Sequence, residues 1–339
     1  MILNKTNIKT NEHYHINDIN LDIVFQNKSF SNVYINTNYN KKSLINGLTY
    51  GVGIPIKNIN SNIKLETKSN KLSIIYEFDK ENNYLNNILE IDINNDVDID
   101  IVYISKDSVK HTHYGIIKLN TTKNIKANIN IINLMNNLSD YLESVEAHIL
   151  DNSLLNIKNI DLGAKNSINN LYLNNIGDNS KGIVDTMYMA NNDEIKDINY
   201  ITHLRGKKSI IDLNINGTVD NNATKNFKGT IDFKKGCIGS SGKENEYCIS
   251  FSDDAISKAM PVLLCTEEDV EGAHSASTGE IDKDKLYYIE SRGFNEKEAI
   301  KLLVKAQFHS IIDNIDDKYK DLINNEIDRR LIWKMIFHF

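Results

Sequence analysis

Between Ile19 and Phe251 the chain alternates apolar and polar residues with a period of two. The pattern comes in short runs such as Ile63-Lys-Leu-Glu-Thr, Leu72-Ser-Ile-Ile-Tyr, Ile91-Asp-Ile, Val97-Asp-Ile-Asp-Ile-Val-Tyr-Ile and Ile125-Lys-Ala-Asn-Ile-Asn-Ile-Ile. Alternation rich in β-branched residues marks strands with one buried face. The breaks are Asn, Asp, Gly and Lys, and the first three tolerate the left-handed backbone that closes tight corners. No helical period interrupts Ile116 to Gly236. Many short strands, two prolines in the whole chain and no long helix here leave a sandwich, a barrel or a β-solenoid. Strand fragments recur at about ten residues, around Ile129, Ala147, Leu155, Leu171, Ile183, Ile211 and Ile231, which suits a solenoid of about 20 residues per turn; a sandwich gives similar spacing.

The period changes near residue 280. Asp282 to Gly293 predicts a short helix stopped by Gly293 in the left-handed region. Asn295 then caps a second helix, with Glu298 completing a capping box. That helix, Glu296 to about Ile312, carries Ala299, Ile300, Leu303, Ala306, Phe308 and Ile311 on one stripe. A third, from about Asp317 to Ile336, repeats Tyr319, Leu322, Ile323, Ile327, Leu331 and Met335 at three and four. Residues 1–280 therefore read as a strand-rich region with a β core and residues 281–339 as a helical segment.

Composition refines this picture. The chain has 50 asparagines, 46 of them before Phe251. The excess reads as a compositional bias that travels with Ile and Lys, and its stop marks a change of architecture. A net charge of −7, from 46 acidic and 39 basic residues, argues against a nucleic-acid surface, which needs clustered excess Lys and Arg. Three cysteines suit a reducing, cytoplasmic compartment better than a disulfide framework. No apolar stretch approaches the roughly 20 residues of a membrane span, and Met1 to Asn20 shows no signal-peptide run.

Several motifs fail on detail. Gly236-Cys-Ile-Gly-Ser-Ser-Gly-Lys-Glu is one step too long for a phosphate loop, and Glu244 stands where the metal-binding Ser or Thr belongs, so no nucleotide is expected on this chain. No G-x-S-x-G elbow supports hydrolase chemistry. His13-Tyr-His15 and His111-Thr-His113 place imidazole pairs on strand faces, but without a nearby thiol or carboxylate set they read as surface residues. His309 and His338 read as structural.

The acidic turn Glu267-Glu-Asp-Val-Glu-Gly-Ala-His-Ser-Ala-Ser-Thr-Gly, followed by Leu286-Tyr-Tyr-Ile-Glu-Ser-Arg-Gly-Phe, closely resembles the signature of the SufB/SufD family, scaffold subunits of the SUF iron–sulfur cluster assembly machinery. Phe227-Lys-Gly-Thr-Ile, Ser252-Asp-Asp-Ala and Lys258-Ala-Met-Pro-Val-Leu add matches in the same order, over about 90 residues. The resemblance implies a right-handed parallel β-helix followed by C-terminal helices, in a compact form without the large N-terminal helical domain of longer members. It implies a SufC-like ABC ATPase as partner, docking on Asp282 to Asn314 through residues such as Leu286, Tyr287, Arg292, Phe294, Leu303 and Phe308. It further implies pairing through the β-helices as a homodimer or with a SufB/SufD paralogue, a cysteine desulfurase or other sulfur donor, and a transient iron–sulfur cluster.

Within that motif His274 stands where the family's interface His lies, and imidazole is a suitable iron ligand. Cys248 lies close to the cluster-associated Cys of SufB-type chains; thiolates bind both iron and persulfide sulfur. The 26 positions from Cys248 to His274 suggest neighbouring turns. Cys265 and Cys237 are further candidate thiols. Ser275 stands where SufB-type chains carry Glu, and Gly272 where several SufD-type chains carry Cys. Two rival readings stay open: a partner subunit that carries no cluster, and a polysaccharide-active solenoid enzyme using Asp253 and Asp254.

Overall fold

The computed structural model describes residues 2–3, 19–21, 24–37, 40–41, 58–313 and 315–332. His13, His15, His338 and the third helix beyond residue 332 lie outside the described residues.

From Ser61 to Gly279 the chain coils into a parallel β-solenoid of about eight turns. Each turn gives one strand to each of two nine-stranded sheets. Sheet 1 runs from Lys71–Phe78 to Val270–Gly279, and sheet 2 from Ser61–Glu66 to Ile256–Cys265. At the N-terminal end of the stack, Val33–Ile35 and Asn40–Lys41 pair antiparallel with the first turn. One turn measures 26 residues from Asp140 to Asn166 and 32 from Thr224 to Ile256. The expected turn of about 20 residues is therefore too short. Most strands span nearly ten residues, and the count of strand fragments left out the corner residues between them.

Inward side chains of both sheets form one continuous core, from Phe30 and Leu72 through Ile101, Ile131, Leu173 and Tyr200 to Phe233 and Cys248. Burying each large aliphatic or aromatic side chain contributes about 1.5–3 kcal/mol. His111 and His113 belong to this interior and not to the surface, as both are fully buried. His113 Nε2 lies 3.0 Å from Glu143 Oε2, which also accepts from Tyr103 at 2.7 Å. A side chain at Gly115 would collide with His113, so glycine there gives the imidazole its space.

Asparagine has a structural use that a compositional bias does not account for. Asn124, Asn152 and Asn179 stack at successive corners with φ of 60°, 55° and 55°. Their side chains form a ladder: Asn152 donates to Asn124 at 2.9 Å and Asn179 to Asn152 at 3.1 Å. Asn192 and Asn221 repeat the arrangement at another corner, with φ of 58° and 54°. Asn enters the left-handed region more readily than most residues and can bond along the stack. A second row on the outer face of sheet 1 links Asp185, Asn214, Asn245 and Ser275. The asparagines thin out in the last turn, whose corners at 251–255 and 266–269 contain none.

Three helices follow: α1, Lys283–Glu290; α2, Glu296–Ile312; and α3, Asp317–Ile332. Asp282 caps α1 by accepting from the backbone of Asp284 and Lys285, and Gly293 adopts φ +98°. The Asn295–Glu298 capping box forms as expected. α2 and α3 bury Val304, Phe308, Ile311, Ile323 and Ile327 against Val102, Ile132, Ile160, Met187 and Met189 on the outer face of sheet 1. Polar contacts fix the seam: Lys158 donates to the Ile311 carbonyl at 2.9 Å, and Arg330 meets Glu194 at 2.8 Å. No helix among the described residues is long and apolar enough to cross a membrane.

Candidate functional site

The solenoid ends at two edge strands, Ile256–Cys265 in sheet 2 and Val270–Gly279 in sheet 1, each paired on one side only. Directly paired residues of parallel strands point to the same face. The inward row Lys225, Phe227, Gly229, Ile231, Phe233 therefore continues as Ser257, Ala259, Pro261, Leu263, Cys265. Likewise Gly242, Glu244, Glu246, Cys248 continues as Gly272, His274, Ala276, Thr278. Ser257 Oγ and Thr278 Oγ1 meet at 2.9 Å across the two sheets, as that assignment requires. In earlier turns these positions form the core. Here, among the described residues, no further turn covers them, and His274 and Cys265 are exposed.

Cys248 lies one turn below this end and is fully buried. Tyr188, Lys225, Glu246 and Ser257 are the polar groups acting on it. Burial pushes its thiol pKa up, against the pull of the Lys225 ammonium, so the thiolate is disfavoured. Its partner on the last strand is Thr278, four positions from His274. At a rise of about 3.3 Å per residue this separates Cys248 from His274 by about 13 Å along the strand. The two stand on adjacent turns, but within one chain they do not ligate a common ion. Cys237, buried in the corner before Ser240–Ser250, has its thiol pKa raised by burial, with the Glu267 carboxylate adding to it. Cys265 is the exposed thiol, and its Sγ contacts the Glu267 carbonyl at 2.8 Å. Among the described residues no three His, Cys, Asp or Glu side chains gather as a ready metal site.

Gly272 faces inward at the open end, where a Cβ would come to 3.3 Å from the Phe233 ring. Ser275 faces outward and donates to Asn245 at 3.0 Å. Asp253 and Asp254 occupy an exposed turn away from the inward rows.

Two interior groups escaped the sequence reading. Lys225 Nζ and Glu246 Oε1 form a fully buried ion pair at 2.7 Å. Glu244, also fully buried, has no hydrogen-bond partner on either carboxylate oxygen. Burial, reinforced by the charge of Glu246, pushes its pKa up to about 8. Gly229 faces it from sheet 2, where any Cβ would collide with the carboxyl group. The signal was present in Gly242-Lys-Glu-Asn-Glu-Tyr-Cys, because period two puts both glutamates on the face of Cys248.

Of the residues expected to bind the ATPase, Tyr287 is 74% exposed and Phe294 44%. Arg292 is exposed too, its guanidinium 4.9 Å from the Tyr288 ring centre. Leu286 and Leu303 are half-buried. Phe308 is fully buried in the seam with sheet 1 and so belongs to the chain's own core, because the apolar stripe of α2 is used up by the solenoid. Tyr288 and Leu302 add exposed apolar surface beside Tyr287 and Phe294.

The family model describing the SufBD core domain of SUF system FeS cluster assembly matches residues 125–307, from the third turn of the solenoid to α2. The chain belongs to the SufBD family. A SufBD core thus includes both the solenoid end and α1. Among curated relatives, the chain is 27% identical over 147 residues to the iron–sulfur cluster assembly protein SufD of Bacillus subtilis, covering 43% of this chain and 32% of that protein. A SufBD family protein of Synechocystis is 24% identical over 142 residues, covering 41% and 29%. Another, of Mycobacterium leprae, is 42% identical over 50 residues, covering 15% and 13%. The chain spans about a third or less of the length of these relatives.

Proposed function

We propose that the chain is a scaffold, not an enzyme, on which iron–sulfur clusters are assembled and from which they pass to apo-proteins in a reducing, cytoplasmic compartment. The observation that carries this reading is the open end of the solenoid, where an imidazole and a thiol lie exposed above a buried thiol and its polar neighbours. The cluster is cargo here. His274 offers an iron ligand, Cys265 an accessible thiol for incoming sulfur from a cysteine desulfurase or other donor, and Cys248 and Cys237 thiols that come into play only when the end opens.

Two edge strands with unpaired backbone groups favour association with another solenoid. The partner is a second copy or a SufB/SufD paralogue, whose own end would complete the ligand set. The helical segment, 281–339, is the docking unit for a SufC-like ABC ATPase, through Leu286, Tyr287, Arg292, Phe294 and Leu303. ATP-driven closure of that partner would shift the paired solenoids and open access to Cys248 and His274. A second reading, a partner subunit that carries no cluster, is favoured by Gly272, which provides no thiol, and by Ser275, which faces away from the end.

Anaerobic co-expression with the ATPase, followed by iron, acid-labile sulfide and subunit analysis, separates the two. Iron and sulfide in a stable complex support the scaffold. ATPase binding without iron supports the non-carrying subunit, and a chain that holds no iron and does not bind the ATPase overturns both readings.

A further inference from the structure

The buried carboxylates of the solenoid interior are provided for, with one exception. Asp161 receives Lys196 at 2.9 Å, Ser167 at 2.5 Å and Asn169 at 2.8 Å. Glu246 has Lys225, and Glu143 has Tyr103 and His113. Glu244 has nothing, although it is fully buried and its carboxyl group occupies the space left by the missing side chain of Gly229. A carboxylate taken out of water without donors or a cation is strongly unfavourable, and such a group signals a ligand or a function. Its register partner on the last strand is His274, on the same face, and among the described residues no strand lies beyond it.

We propose that Glu244 is a protein ligand for iron(II), sharing the ion with His274 at the open end of the solenoid; this rests on the reading of that end as an assembly surface. Paired positions on adjacent strands stand about 4.8 Å apart, and an ion bound at about 2 Å by each side chain bridges that gap. Imidazole with carboxylate is a donor set that suits iron(II). Glu246, two positions along the same face, is paired with Lys225 and leaves Glu244 as the unpaired carboxyl group, which gives up its proton when it binds the ion. The remaining coordination positions point out of the open end, where sulfide, a thiolate or a paired subunit can fill them.

The test titrates the full chain anaerobically with Co(II), a spectroscopic stand-in for iron(II), and follows visible absorption; Fe(II) binding is read in parallel by competition with a chromogenic chelator. Glu244→Gln keeps the side-chain volume and should weaken Co(II) binding at least tenfold and change the visible band, as should His274→Ala. Glu271→Gln, an exposed residue on the outward face of the same strand, should bind as the parent does. If Glu244→Gln does not fold by circular dichroism, Glu244→Asp, which withdraws the carboxylate by one methylene, provides the same comparison. Binding lost in His274→Ala but unchanged in the Glu244 variant overturns the assignment of Glu244 and leaves the open end as an iron site. Absence of Co(II) and Fe(II) binding by the parent chain overturns both.

Discussion

Cys248 and His274 stand on adjacent parallel strands but out of register: Cys248 pairs with Thr278, while His274 pairs with Glu244. The two groups that look like one ligand pair in the sequence thus have different neighbours. His274 lies over a carboxylate at the open end, and Cys248 is sealed in the core beside Tyr188 and Lys225.

Thiol reactivity should reflect this division. In the isolated chain Cys265 should react quickly with an aromatic disulfide reagent, while Cys237 and Cys248 react at least a hundredfold more slowly, because both are buried and held as thiols. Cys265→Ser should abolish the fast phase. With the ATPase partner and ATP, Cys248 should become reactive if closure opens the end. Reagent kinetics with mass mapping of the labelled site gives the answer.

Glu244 makes stability depend on pH. Its carboxyl is held at about 8, against the ordinary 4.5, so between these values the unfolded chain has released a proton that the folded chain keeps. Stability therefore falls as pH rises through that window, by on the order of 1.4 kcal/mol per pH unit from this group. Urea unfolding of Glu244→Gln from pH 5 to 8 should show a flatter profile and a variant more stable than the parent at pH 8. An unchanged slope would mean that the carboxyl is not held neutral.

The Lys225–Glu246 pair is fully desolvated. Lys225→Met should destabilise by about 3–5 kcal/mol, since it leaves a buried charge without its partner, whereas Lys225→Met with Glu246→Gln should recover a large part of that loss. Denaturant unfolding of the two single variants and the double variant measures the coupling.

On the proposed reading, the exposed residues of the helices dock the ATPase and the buried ones hold the fold. Tyr287→Ala with Phe294→Ala should weaken ATPase binding at least tenfold while leaving the melting temperature within a degree or two of the parent. Phe308→Ala should cost about 3–5 kcal/mol of stability, as expected for a large side chain lost from a packed seam. Calorimetric titration with the ATPase and thermal melts distinguish these effects.

A single corner can be tested at Asn152, which holds φ of 55° in the middle of its ladder. Asn152→Ala should destabilise by about 1–2 kcal/mol, the order of the cost of a left-handed residue with a Cβ. Asn152→Gly should be closer to the parent, losing the ladder bonds but not straining the backbone.

Much of the architecture was legible in the sequence. Period-two alternation marked the strands, the capping box of Asn295 and Glu298 marked the start of α2, and Gly293 marked the end of α1, because each depends on residues within a few positions of one another. The family was legible too, in a contiguous motif around His274. The turn length was not, since corner residues carry no alternation to count. Nor was the role of asparagine, because a ladder from Asn124 to Asn152 to Asn179 joins residues 27 or 28 positions apart that become neighbours only when the coil closes.

The site divides along the same line. Sequence alone determined which residues carry thiol, imidazole and carboxylate chemistry, and by parity that Glu244, Glu246 and Cys248 share a face. Only the stacking of turns decided that His274 meets Glu244 and not Cys248, that Lys225 neutralises Glu246, and that Phe308 faces the solenoid. The reason is register: in a parallel coil a shift of a residue or two in one corner moves every pairing on the next strand, and corner lengths here are set by packing between turns that no local pattern encodes.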